Sequence, residues 1–82
     1  MDVQYWNVPV DVTLDGRGHQ RTITATCFAC ECLLTLWPAC HGPAYRAALR
    51  TCALAMRGEE NQAMARTAFI RAAREAHVLT KH

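Results

Sequence analysis

The stretch Pro43–Gly58, PAYRAALRTCALAMRG, constrains the chain more than any other. Proline lacks an N–H and holds φ at about −65°, which suits the first helical position, where that N–H has no partner. Glycine readily adopts the left-handed conformation that closes a helix. Pro43 and Gly58 therefore bracket one helix. Within it, Tyr45, Ala48, Leu49, Cys52, Ala55 and Met56 recur at the helical interval and form an apolar face. Arg46, Arg50 and Arg57 fall in a narrow arc of another face, at about 100° per residue. Such a helix needs neighbours for its apolar seam, and the flanking segments supply them.

Upstream, Val8, Val10, Val12 and Leu14 alternate with Asn7, Pro9, Asp11 and Thr13, the period of a strand with one buried face. Pro9 has no N–H to give a ladder, which predicts an edge strand or one whose N–H side faces solvent there. Asp15-Gly16-Arg17-Gly18 supplies turn residues, and Gln20 to Ala25, with Thr22, Ile23 and Thr24, reads as the returning strand. Thr26 is the expected N-cap of a helix Cys27–Trp37, which Pro38 ends. On that helix Ala29, Cys30, Leu33, Leu36 and Trp37 point one way, Cys32 and Leu34 lie at the margins, and Cys27 and Phe28 flank the polar side.

After Gly58, Glu59 and Glu60 are placed where the positive end of a third helix favours acids. That helix is predicted over about 59–77, with Ala65, Ala68, Phe69, Ala72, Ala73 and Ala76 inward. Val78 to His82 reads as a frayed tail. The order β-β-α-α-α predicts an α+β fold: one domain over residues 1–82, with a hairpin at about 5–25 packed on helices at about 27–37, 43–57 and 59–77. Tyr45, Ala48, Cys52 and Met56 are expected to form the seam between the first and third helices.

At 82 residues the core is small, and much of the 51% hydrophobic share is alanine, which buries little area per residue. Self-association into a homodimer is a reasonable expectation. A net charge of +2 identifies no partner, although eight of the nine basic residues are arginine. The opening MDVQYWNVPV lacks the basic and apolar regions of a signal peptide, and no run spans a bilayer. The expectation is a cytoplasmic protein with no membrane association. Five cysteines cannot all pair within one chain, and a reducing compartment keeps them as thiols.

The PVDV strand, the DG turn, the Ala/Cys-rich helix ending in LWP, GPAYRAALRTCALAMRG and ARTAFIRAAREA together resemble domain-of-unknown-function family 982, short bacterial proteins built from one such domain. The resemblance runs from about Trp6 to Ala76. Its most telling pieces are Trp37-Pro38, Gly42 with Tyr45, Ala48 with Cys52, Gly58, and the run Ala65-Arg66, Ala68-Phe69-Ile70, Ala72-Ala73. It implies small apolar roles for Cys52 and Cys32, whereas Cys27, Cys30 and Cys40 are additions of this chain. It implies no activity.

Three kinds of chemistry are weighed against that background. Cys27, Cys30 and Cys40 with His41 are thiolate and imidazole candidates for a metal. However, Cys27-x-x-Cys30 lies inside a helix and no second ligand pair follows, so packed thiols are expected and no metal or other cofactor. Cys27, in a first helical turn, is the thiol most open to solvent. No glycine-rich phosphate loop or nucleophile–base pattern occurs, and an enzyme is not expected. A nucleic-acid reading takes the last two helices as helix-turn-helix, with Arg66, Arg71 and Arg74 as contacts and Arg46, Arg50 and Arg57 on phosphates. Glu59 and Glu60 oppose it, standing at the end that would face bases. The favoured reading is a non-catalytic module for a protein partner, with Tyr5, Trp6 and Phe28 as an exposed aromatic patch; Tyr5 and Trp6 serve equally well as cover for the open end of the small core.

Overall fold

The computed structural model describes residues 5–14, 20–38 and 41–80. Its elements are β1 (Tyr5–Thr13), β2 (Gln20–Ala25), α1 (Thr26–Thr35), α2 (Pro43–Met56) and α3 (Gln62–Glu75). The expected α+β order is present, with the turn residues Asp15 to Gly18 outside the described residues. β1 and β2 pair antiparallel with Val10 opposite Ile23, Asp11 opposite Thr22, Val12 opposite Arg21 and Thr13 opposite Gln20. The register then breaks, because Tyr5 lies opposite Ala25. Trp6, Asn7, Val8 and Pro9 thus share the space of Thr24 alone, a broad bulge.

That bulge corrects one expectation and explains another. β1 is one of the two strands of the sheet, as expected, and Pro9 sits in the bulge, where a missing N–H breaks no ladder bond. Val8 leaves the buried face and is 55% exposed, while Val10 and Val12 stay buried. The outer edge of β1 is in fact covered over its second half. Thr13 N–H donates to the Val78 carbonyl (2.8 Å), Thr80 N–H donates to the Asp11 carbonyl (2.9 Å), and Val12 bridges Leu79. Val78 is buried, and residues 78–80 lie against β1 through an isolated bridge rather than as a frayed tail. Lys81 and His82 lie outside the described residues.

The helix ends explain themselves through their caps. α2 begins at Pro43 and closes in a Schellman motif. Gly58 takes φ 77°, its N–H donates to the Ala55 carbonyl (3.1 Å), and Glu59 N–H donates to the Leu54 carbonyl (2.8 Å). This bond occupies Glu59, so α3 cannot start there. Asn61 caps α3 instead, its side-chain oxygen accepting from Met64 N–H at 2.9 Å, and neither glutamate lies in the first turn. α3 ends in a second Schellman motif with His77 at φ 58°, where Val78 N–H donates to the Ala73 carbonyl (2.9 Å). α1 stops at Thr35, two residues short of expectation. Pro38 disfavours helical geometry at Trp37, so the cap falls back to Leu36.

The core gathers Trp6, Val10, Val12 and Ile23 from the hairpin, Cys32 and Leu33 from α1, Tyr45, Ala48, Cys52 and Ala55 from α2, and Ala65, Phe69, Ala72 and Ala73 from α3. Phe69 is its centre, with the Trp6 and Trp37 rings at 5.8 Å and 5.5 Å. Two seam assignments change. Met56 is exposed and Ala55 takes its place; Cys32 is buried whereas Cys30 is half-buried. α1 packs on β2 as well as α2, which turns its inward stripe toward Ala29, Cys32 and Leu33.

Side chains tie the elements end to end. Tyr45 O–H donates to the Leu33 carbonyl (2.8 Å), an acceptor in the last turn of α1 that lacks a helical partner. The Glu75 carboxylate, at the end of α3, accepts from Ala44 N–H (3.1 Å) and Tyr45 N–H (3.2 Å) in the first turn of α2. Thr26 does not cap α1, whose N-cap is Ala25. Its buried hydroxyl accepts from Trp6 Nε1 at 3.0 Å and donates to the Gln62 side-chain oxygen, while Gln62 Nε2 donates to the Ala55 carbonyl (3.2 Å). One polar chain thus joins β1, α1, α3 and α2.

Candidate interaction surface

The bulge in β1 builds the groove on which three of the candidate residues meet. Tyr5, Trp6, Asn7 and Val8 form one wall and Gln62, Ala63, Arg66 and Thr67 of α3 the other, around about 350 Å³. With the ladder interrupted, the Val8 carbonyl has turned toward α3 and accepts from Arg66 Nε at 2.7 Å. A charged donor makes this a stronger bond than a neutral amide would. It also fixes the Arg66 stem across the groove. Trp6 is buried against Phe69 and forms the floor, so it is not part of an exposed aromatic patch. Tyr5, 64% exposed, and Val8 form an apolar rim. Arg66, a candidate contact on the alternative nucleic-acid reading, here holds the strand through its Nε. Val8 was missed as a surface residue because the alternating pattern carries no sign of the bulge except Pro9.

The remaining arginines do not join this groove. Arg46, Arg50 and Arg57 are exposed along the outer side of α2, and Arg57 Nε lies 3.0 Å from the Glu59 carboxylate. Arg46 and Arg57 are eleven positions apart, about 16 Å along a helix axis, so they spread over the surface rather than converge. Arg71 and Arg74 are exposed on α3. Glu59 and Glu60 precede α3 and stand at the end that a recognition helix would turn toward DNA.

Phe28 is 42% exposed and lies elsewhere, in a second groove of about 260 Å³ between β2 and α1. Arg21, Thr22, Ile23 and Thr24 line one side, and Phe28, Glu31, Cys32 and Leu36 the other. Arg21 and Glu31 had no functional assignment from sequence. A single charge in a short strand and another on a helix give no periodic signal that they will share a surface.

The thiols are dispersed in the packing. Cys27 and Cys30 are half-buried on α1, Cys32 and Cys52 are buried, and Cys40 lies outside the described residues. Burial pushes the Cys52 thiol up to about 12 and the Cys32 thiol up to about 11. Burial, followed by the neighbouring Cys27, raises Cys30 as well. These thiols stay protonated at neutral pH, which suits packing. His41 is exposed and stacks on Tyr45, with ring centroids 4.2 Å apart and planes 7° from parallel. Among the described residues, no three His, Cys, Asp or Glu side chains come together to hold a metal ion. No helix there is long and apolar enough to cross a membrane.

A family model described as "Protein of unknown function (DUF982)" matches residues 8–80. No curated protein and no solved structure matches the chain.

Proposed function

The chain belongs to the DUF982 family, whose description assigns no activity, and on that premise we propose that it is a non-catalytic cytoplasmic module that binds a protein partner through the β1–α3 groove. The observation that supports this reading is the combination at the bulge. Tyr5 and Val8 are apolar, exposed and adjacent to strand backbone that has left its ladder. Arg66 and the buried Trp6 hold that backbone in place. A preorganised rim of this kind loses little entropy on binding, and aromatic side chains beside an immobilised arginine are what interfaces enrich. The dispersed arginines point the same way, since they form no anion-binding centre.

The test compares capture from native lysate by the wild type and by a Tyr5→Ala/Val8→Asp variant, with and without nuclease. Both side chains are exposed, so the variant keeps its fold, which far-UV circular dichroism verifies. A protein captured by the wild type, lost by the variant and indifferent to nuclease supports the proposal. Capture that survives the double substitution, or that consists only of nuclease-sensitive material, overturns it.

A further inference from the structure

Two thiols stay outside the fully buried core, and they follow one another along α1. Cys27 is the second residue of that helix and Cys30 the fifth, and both are half-buried. Positions three apart are neighbours on one side of a helix. At about 1.5 Å and about 100° per residue, their Cα atoms stand about 5 Å from each other. A disulfide spans Cα atoms about 4.4–6.8 Å apart, so the pair falls within its reach. The Cys30 thiol is raised first by burial and then by Cys27, which places the two sulfurs near one another. Cys32 is two positions beyond Cys30, about 200° around the helix, and does not face it. Cys52 lies on the inner side of Cys30, sealed in the core with its proton held to about 12. Among the described thiols, the partner left to Cys30 is Cys27.

The fit is not that of a permanent crosslink. Cβ atoms three positions apart on a helix are about 5–6 Å from each other, whereas a disulfide holds them at about 3.5–4.5 Å. Closing the bridge therefore draws the first turn of α1 tighter. The turn can yield in part, because its leading N–H groups have no helical partners to lose. It is also held: Thr26, next to Cys27, is buried and bonded to both Trp6 and Gln62. A bridge closed against such resistance belongs to the strained class that is readily reduced.

From this geometry we infer that Cys27 and Cys30 form a reversible dithiol site whose chemical partner is a small-molecule disulfide. Cys30 packs against the core, so Cys27 is the thiol that meets the reagent. The Cys27 thiolate attacks one sulfur of the small disulfide, forming a mixed disulfide and expelling one thiolate. Cys30 then loses its proton to solvent and attacks Sγ of Cys27. The mixed bond breaks, the Cys27–Cys30 bond forms, and the second thiolate leaves. The two expelled thiolates take up the two protons that the cysteines released, so one small disulfide becomes two thiols while the dithiol is oxidised. Excess thiol runs the same steps backward. The site lies on α1, and its reading does not rest on the β1–α3 groove.

The probe is glutathione disulfide, added to the folded full chain and followed by alkylation of the remaining thiols. Cleavage after Arg21 and Glu31 releases residues 22–31, which hold Cys27 and Cys30 and no other cysteine. Mass spectrometry should find that fragment unalkylated and lighter by two hydrogen atoms. Excess reduced glutathione should restore both thiols. Cys30→Ser should instead stop at a glutathione adduct on Cys27, because no second thiol displaces it. In glutathione buffers the bridge should form about tenfold less readily in the folded chain than in urea, where no helix resists it. A wild-type fragment that keeps both thiols, stays glutathionylated or is crosslinked to Cys32, Cys40 or Cys52 overturns the inference. So does a bridge that glutathione cannot reopen, or one that forms equally well in the fold and in urea.

Discussion

Gly42 has an ordinary φ of −80°, so its glycine character is not a matter of backbone conformation. A Cβ there would stand 2.6 Å from the Glu75 carboxyl carbon and from one of its oxygens. The position is kept small so that Glu75 can reach the Ala44 and Tyr45 amides. Elsewhere Gly→Ala at such a φ stabilises by restricting the unfolded chain. In this chain Gly42→Ala should instead destabilise by about 1 kcal/mol, the usual scale for losing a helix N-cap. Urea denaturation checks the sign. In a Glu75→Ala background the same substitution should cost nothing further, since the two changes remove one interaction.

At the scale of elements, both ends of α2 are governed by residues whose chemistry is local, and they are legible in the sequence. Pro43 and Gly58 announce themselves because proline and glycine restrict or free the backbone directly. The C-terminal end of α3 has no such signal. His77 adopts φ 58°, a conformation that costs a non-glycine residue about 1–2 kcal/mol. It is held there by the two bonds of the Schellman motif and by burial of Val78. His77→Gly should raise stability by about 1 kcal/mol, corresponding to an upward shift of the melting temperature of about 4–8 °C for a domain of this size. No change, or a decrease, would show that the histidine ring contributes more than its backbone costs. The bulge was equally hidden. Pro9 reports only that a ladder bond is missing, and both an edge and a bulge satisfy that condition. The bulge is held where the Val8 carbonyl accepts from Arg66, a contact made across 58 positions.

For the molecule as a whole, the thiols link packing to pH. Unfolded cysteine ionises around its ordinary value of 9.0, whereas Cys32 and Cys52 hold their protons to about 11 and about 12 in the fold. Above pH 9 the unfolded state therefore binds fewer protons than the folded state, and stability falls as pH rises. Their contribution is complete below pH 9 and is lost progressively through about 11 to 12. Urea midpoints measured from pH 8 to pH 11 should decline, and Cys52→Ala should decline less steeply. An equal slope in the two proteins would mean that the Cys52 thiol is ionisable in the fold. Cysteine count and spacing in the sequence exclude a complete disulfide set but do not place Cys32 inside and Cys30 toward the rim. That depends on how α1 rotates between β2 and α2, a tertiary property with no local code.

The pairing of β1 with residues 78–80 has a further consequence for how the protein is made. Thr13 and Thr80 exchange a hydroxyl hydrogen bond at 3.0 Å across 67 positions. Within this domain the hairpin is made before α1, α2 and α3, and the residues that cover the second half of β1 come after all of them. A nascent chain stalled between α3 and residue 78 therefore carries bare strand backbone at Asp11 to Thr13 that the folded domain covers.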